Sequence, residues 1–350
     1  AAVARGQTDV LMLNHLKYDA WIPGNHEVDA GIARLTAITK AIHVPILNGN
    51  FRLQSQDPFP AWKMFRKGGA RIAVIGMNNP NLAHWLWGKR FAGYAVRPAL
   101  PLIEKLIPEI QRQRPDLIIL AIHQGFQERS GSLRGEVDTI ARRFPQIHLI
   151  LGGHTHRAIP GRRIGKAYYV QPGAHGEHLA RIRVKLDRKR HRPLRIESSL
   201  IRTAEVKPDP TAKKLLQPWL VKAVRHNATV VARSPIAVSG GGRPGRDCHL
   251  SEVICRAIAA RAKAKVVFHP VFDRAGWQAG PITEADLFRA VPYENTVGVA
   301  WLTREDLAAI IKEQLRYWYA KDLANGIWGL TVRVRVKDQR VTELAFPHGQ

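Results

Sequence analysis

A layered α/β domain followed by a second domain is the fold class the sequence predicts, on three observations. Between Asn25 and His156, short apolar runs of strand length alternate with stretches of helical period, the pattern of helices packed on a sheet. Three of the strand-like runs stop abruptly at an Asn or a His. Residues 18–22 lead into Gly24-Asn25-His26-Glu27-Val28-Asp29, residues 118–122 into His123-Gln124-Gly125, and residues 148–151 into Gly152-Gly153-His154-Thr155-His156. In open α/β sheets ligands bind at the C-terminal edge of the strands, where the loops converge. Thirdly, Lys207-Pro208-Asp209-Pro210 ends the alternation and separates two stretches of chain.

Taken in order, residues 9–16 and 32–42 are expected to be helices, with short strands at 18–22 and 44–47. A strong strand is expected at 71–76, helices at 99–113 and 134–144, and a buried strand at 148–151. From 167 to 201, three runs rich in Tyr, Val, Ile and Leu suggest antiparallel strands that close the domain. The basic run Asp187-Arg188-Lys189-Arg190-His191-Arg192 between two of them reads as a solvated hairpin turn. Leu215, Leu216, Leu220 and Val224 give residues 211–225 the period of a connecting helix. Ser239-Gly240-Gly241-Gly242-Arg243-Pro244-Gly245 is a flexible loop, and the alternation over 332–346, around Lys337-Asp338-Gln339-Arg340, predicts a hairpin.

Composition limits the function classes. No stretch approaches the roughly 18 apolar residues a membrane helix needs. Cys248 and Cys255 lie seven apart on one helix face, two turns from each other, too far for a disulfide. With 54 Lys and Arg against 28 Asp and Glu the net charge is +26, which attracts anions, phosphates included. The basic residues are scattered, however, and no zinc finger, aromatic-rich strand motif or recognition helix accompanies them. Nucleic acid is therefore not the expected principal partner.

The chemistry is carried by His154 and His156. In an extended loop an i, i+2 pair points its side chains the same way, and neutral imidazole is the commonest protein ligand for transition metals. With Asn25 and His123 delivered to the same edge, the joint reading is a metal site.

In this order, G-N-H-E-x-D, a strand ending in H-x-G and G-G-H-T-H resemble the dinuclear metallophosphoesterase domain of the bacterial 5′-nucleotidase and 2′,3′-cyclic-nucleotide phosphodiesterase family. The resemblance implies a four-layer αββα sandwich with a second, smaller α+β nucleotide-recognition domain. Its expected divisions are 1–206, a linker at 207–232, and 233–350. By the same resemblance Asn25, His123 and His154 bind one divalent metal and His156 the other. His26 is the transition-state-stabilising histidine and Asp29 orients it. Two ions of Mn²⁺, Zn²⁺, Fe²⁺, Co²⁺ or Mg²⁺ would activate water for in-line attack at phosphorus. Gly173-Ala174-His175-Gly176 resembles the family's stretch after the His pair, where His175 would line the site rather than bind metal.

The family's D-x-H strand and its bridging G-D aspartate have no counterpart upstream of Asn25. Asp9 and His15 are the available substitutes, although their place on a short helix reads as a surface or helix-end role. The chain is thus expected to be truncated at both ends, to bind metal weakly and to hydrolyse little as it stands. In the second domain, Pro281-Ile282-Thr283 with Asp286-Leu287, and Pro292-Tyr293-Glu294-Asn295, resemble the family's recognition segments. Arg246 and Arg274 fall where its substrate-binding arginines stand, and Tyr293 where an aromatic stacks on the base. The glycines of the family's substrate loop are replaced by His269-Pro270-Val271-Phe272-Asp273. The expected substrate is a small nucleotide or related phosphate ester. The alternatives are a thiosulfohydrolase of the same superfamily or a nucleotide-binding module without catalysis, and the family resemblance implies a periplasmic or secreted location.

Overall fold

The computed structural model describes residues 4, 6–82, 92–126, 135–240, 248–270, 276–292, 296–321, 325–335 and 340–345. The chain divides into two compact units, Ala1–Trp219 and Leu220–Gln350. The boundary falls inside one helix.

The first unit is organised by a six-stranded mixed sheet. Its strands are β2 (Trp62–Lys67), β3 (Ala70–Met77), β5 (Leu117–Ile122), β6 (Leu149–Leu151), β7 (Ala158–Ile164) and β8 (Ala167–Pro172), in the order β2-β3-β5-β6-β8-β7. β3, β5, β6 and β8 run parallel, and β2 and β7 cap the two edges antiparallel. Alternation within the parallel strands decides what covers each face. Ala73, Ile75, Met77, Ile118, Leu120, Ile122, Ile150, Ala167 and Tyr169 face helices α3 (Ala99–Arg112) and α4 (Val137–Arg143), which offer Ala99, Ile103, Leu106, Ile107, Ile110, Val137, Ile140 and Ala141. The intervening Ile119, Leu149, Leu151, Tyr168 and Val170 face the opposite way. There they meet Ala180, Ile182 and Val184 of β9 (His178–Asp187) and Ile196 and Leu200 of β10 (Arg192–Arg202), which form a separate antiparallel ladder. The sheet therefore has helices on one face and a second sheet on the other, the mixed α/β architecture expected. Helices α1 (Gln7–Leu16) and α2 (Ile32–Ala41) and the short pair β1 (Phe51–Leu53) and β4 (Tyr94–Val96) complete the unit.

Two expected strands are corrected. Residues 18–22 and 44–47 meet only through the bridge Trp21–Ile46, closed by Trp21 N–H to Pro45 O at 2.9 Å and Leu47 N–H to Trp21 O at 3.0 Å. Pro23 and Pro45 lack the N–H that a continuing ladder needs. α4 begins at Val137, later than the expected 134. Asp9 and His15 are exposed at the two ends of α1, as their positions suggested.

Helix α5 (Pro210–Asn227) carries the chain onward. The second unit pairs β11 (Val230–Ser234) with β15 (Gly280–Thr283), β12 (Val238–Ser239) with β14 (Gly276–Trp277), and β13 (Val267–Pro270) with β16 (Asn325–Trp328). The hairpin of β17 (Thr331–Arg335) and β18 (Arg340–Ala345) lies where the alternation predicted it. Helices α6 (His249–Ala262), α7 (Glu284–Ala290) and α8 (Arg304–Lys321) belong to this unit. The Thr283…Asp286 motif proves to be a capping box: Thr283 Oγ1 accepts from Asp286 N–H at 3.3 Å, and Asp286 Oδ2 accepts from Thr283 N–H at 2.8 Å. This accounts for the motif by helix initiation alone. Both cysteines are free.

Candidate metal centre

The C-terminal ends of the four parallel strands lie side by side, and each reaches an Asn or a His within three residues. β3 leads into Asn78, β5 into His123, β6 through Gly152-Gly153 into His154, and β8 through Gly173-Ala174 into His175. Asn25 arrives from the segment after Trp21. Its Oδ1 lies 2.8 Å from His123 Nε2 and 3.2 Å from His154 Nδ1. The two rings stand edge-on, with centroids 5.3 Å apart. Three of the expected ligands, from three separate segments, are thus brought to one point.

Close packing holds them there. Gly24 lies against the His123 ring so tightly that a Cβ on it would sit 2.7 Å from Cε1. Gly24 N–H donates to Glu27 Oε2 at 2.5 Å. Asn78, fully buried, donates through Nδ2 to the carbonyls of Pro23 at 3.0 Å and Gly24 at 3.3 Å. Asn50 in turn accepts from Asn78 N–H at 2.7 Å and donates to Asn78 O at 2.9 Å. These two asparagines fix the strap that presents Asn25, and the sequence reading missed both.

Burial, reinforced by the positive fields of His154, His26 and His156, pushes the His123 pKa down to about 4. Burial, then His156 and His26, also lowers His154. Both rings are therefore neutral at neutral pH, the form in which imidazole binds a cation. His26 behaves oppositely. Its Nδ1 is 2.7 Å from Asp29 Oδ2, and that hydrogen bond raises its pKa against the opposing effect of burial. Burial also raises Glu27, whose partner is the Gly24 N–H.

His156 departs from expectation. His154 and His156 have φ of 71° and 56°, both left-handed, so the pair is not extended and its side chains are not parallel. His154 turns to Asn25. His156 is exposed and faces His175, with ring centroids 5.6 Å apart. The turn is closed by Thr155 N–H to Gly153 O at 2.8 Å, a three-residue bond that the two glycines permit. Arg246, Arg274 and Tyr293, the expected substrate-binding residues, lie outside the described residues.

As a donor set, one carboxamide oxygen and two neutral imidazoles suit a single first-row divalent ion. Among the described residues no group of three or more His, Cys, Asp or Glu is placed to hold a metal. Asn25, His123 and His154 are the residues that could hold one ion, and for a second the described residues offer His156 with His175 opposite it.

The sheet with this helix and second-sheet packing, bearing Asn25, His123 and His154 on its C-terminal edge, lies largely within residues 3–158, which the model of the calcineurin-like phosphoesterase family matches. The model of the 5′-nucleotidase C-terminal domain matches residues 227–350. The chain carries the two domain types that these models describe, one after the other. It is 25% identical over 340 residues to a 5′-nucleotidase of Vibrio cholerae, covering 83% of this chain and 61% of that protein. It is 21% identical over 340 residues to endonuclease YhcR of Bacillus subtilis, covering 92% of this chain and 28% of that protein. The chain therefore spans less than two thirds of the length of these relatives. A Staphylococcus aureus structure described as a 5′-nucleotidase superposes with a TM-score of 0.82 at 19% identity, covering 98% of this chain and 73% of that one. At that identity the likeness speaks for the fold. No helix among the described residues is long and apolar enough to cross a membrane.

Proposed function

We propose that the protein is a metal-dependent phosphohydrolase acting on nucleotides, of the 5′-nucleotidase or 2′,3′-cyclic-nucleotide phosphodiesterase type. The observation that carries this reading is the Asn25–His123–His154 cluster, whose imidazoles are kept neutral by burial at the edge where the loops of an α/β sheet bind ligands. In this reading Asn25, His123 and His154 hold one divalent ion, and His156 contributes to a second. Such ions, when bound, activate water and neutralise charge on phosphoryl oxygens. The chain itself supplies position. His26, oriented through Nδ1 by Asp29, stabilises charge developing on the phosphoryl group or protonates the leaving oxygen. Arg246 and Arg274 grip a phosphate or carboxylate by forked hydrogen bonds, and Tyr293 stacks on the base. Residues 1–206 carry the metal centre and 233–350 the substrate domain, in a protein placed in the periplasm or outside the cell.

The test begins with chelator-stripped protein, to which Mn²⁺, Zn²⁺ or Co²⁺ is returned. Bound metal per chain and phosphate release are then followed with 5′-nucleotides and 2′,3′-cyclic nucleotides. His154→Ala is expected to lose the ion and the metal-dependent release together, while His226→Ala, on exposed α5, keeps both. Metal uptake that ignores His154→Ala would overturn the site assignment. Turnover of a sulfur ester, but of no phosphate ester, would assign the thiosulfohydrolase chemistry instead.

A further inference from the structure

The parallel edge ends in one more histidine than the proposed site uses. His175 follows β8, the strand beside β6, and its ring centre lies 5.6 Å from that of His156, with the planes at 66°. His123 and His154, which share the Asn25 carboxamide, stand 5.3 Å apart at 67°. The two pairs therefore have nearly the same mutual geometry. Two imidazoles that share one ion at a metal–nitrogen distance of about 2.0–2.1 Å have ring centres on the order of 5–6 Å apart.

Packing does not account for a histidine at this position, and the backbone tolerates one without requiring it. His175 is exposed, so it fills no core. Its φ is 55°, a left-handed value that favours glycine and, among other residues, asparagine, aspartate and histidine alike. The turn that carries it is fixed from both sides. Glu177 N–H donates to Ala174 O at 3.0 Å, Thr203 N–H donates to Glu177 O at 3.0 Å, and Thr203 Oγ1 donates to Gly176 O at 2.7 Å. A side chain held out to solvent on a pinned, left-handed turn, opposite a second histidine on another such turn, is arranged to meet something between them.

We propose that His175 and His156 together ligate one divalent cation, separate from the cation on Asn25, His123 and His154. This rests on the reading of the edge as a metal centre, and it gives His175 a direct role in place of the lining role its sequence context suggested. The second ion thereby gains a ligand from β8.

Titration of chelator-stripped protein with Co²⁺, followed by calorimetry and by cobalt absorption, tests it. His156→Ala and His175→Ala are each expected to weaken the same binding step at least about tenfold, with little further loss in the double variant, and to leave the step removed by His154→Ala in place. His226→Ala should change neither. A measurement on the unsubstituted protein guards against misfolded variants: the His175 imidazole resonances should shift or broaden together with those of His156 as the step fills. If His156→Ala weakens a step while His175→Ala does not, and the His175 ring stays silent, this proposal falls and the metal centre stands. If no step responds to His154→Ala or His156→Ala, the metal centre itself falls.

Discussion

Gly24→Ala tests how closely the fold dictates the site. A Cβ at this position would lie 2.7, 2.8 and 2.9 Å from Cε1, Nδ1 and Nε2 of His123. Carbon atoms in good contact sit about 3.5–4.0 Å apart, so the methyl overlaps the ring by roughly 0.6–1.3 Å. The ring cannot retreat without lengthening its 2.8 Å contact to Asn25 Oδ1. Nor can the strap retreat, because Asn78 holds the carbonyls of Pro23 and Gly24. Overpacking of this kind costs about 1–3 kcal/mol. Thermal unfolding should therefore begin a few degrees lower, at roughly 2–4 °C per kcal/mol. The affinity for the first metal equivalent should fall by about 10–100-fold, the usual consequence of disturbing what orients a ligand. Gly153→Ala is the internal comparison. Its Cβ would approach His123 Nδ1 only to 3.2 Å, so it should do the same more mildly. Equal metal affinity in wild type and Gly24→Ala, or a larger effect from Gly153→Ala, would refute the argument that steric fit at His123 sets the site.

Three further substitutions probe the scaffold by equilibrium unfolding. Burial alone would raise the Asp116 carboxyl, but the Arg71 N–H at 2.7 Å, the His191 ring at 2.7 Å and the nearby Arg188 charge hold it below the usual range. A depressed folded-state pKa contributes stability above the unfolded value near 4, and that contribution is lost as pH falls through the folded one. Asp116→Ala should thus cost about 1–3 kcal/mol at neutral pH, and the gap to wild type should close below roughly pH 4. A gap that stays constant down to pH 2 would contradict this. Glu136→Ala removes the carboxylate that accepts Ala99 N–H at 2.9 Å and Leu100 N–H at 3.0 Å, at the start of a helix whose N-cap residue, Pro98, supplies no side-chain bond. It should cost about 0.5–2 kcal/mol, and a neutral result would mean water replaces the cap. In Tyr169→Phe the buried hydroxyl is lost, leaving Gln171 Oε1, now 2.6 Å from it, and Phe126 N–H, at 3.1 Å, without that partner. A loss of about 1–3 kcal/mol is expected, and an unchanged midpoint would exclude a structural role for the hydroxyl.

Much of the fold was legible because strongly patterned segments carry their own instructions. β5 and β6 are short apolar runs bounded by polar residues, and α3 repeats its apolar positions at helical spacing through Ile103, Leu106, Ile107 and Ile110. The apolar runs at 18–22 and 44–47 misled because hydrophobicity specifies burial rather than pairing. With Pro23 just after the first and Pro45 inside the second, they meet through a single bridge, and Tyr18 and Asp19 stay exposed. The Asp187–Arg192 run was read correctly as a hairpin turn, yet its His191 also reaches the buried Asp116 at 2.7 Å. That is a contact across 75 residues, which no local pattern announces.

At the site, sequence located the participants and could not assign their partners. Asn25, His123 and His154 were identified by their places after apolar runs; His123 and His154 meet because parallel strands align their ends, and Asn25 reaches them on the segment that Asn78 holds. The spacing of His154 and His156 suggested one shared target, on the assumption of an extended backbone. Two left-handed residues within three send the rings to different neighbours instead. The available signal was Gly152-Gly153, which permits a tight turn as readily as a sharp exit from the strand. Asn50 and Asn78 were invisible for a different reason. They act one step away from the expected ligands, Asn50 fixing Asn78 and Asn78 holding the Pro23 and Gly24 carbonyls just before Asn25. Buried carboxamides of this kind bond to main chain distant in sequence, so composition and periodicity contain no trace of them. Ligand identity is written in local motifs. The arrangement of the ligands is written in backbone angles and long-range hydrogen bonds, and substitutions at Gly24 and His175 should therefore separate the two.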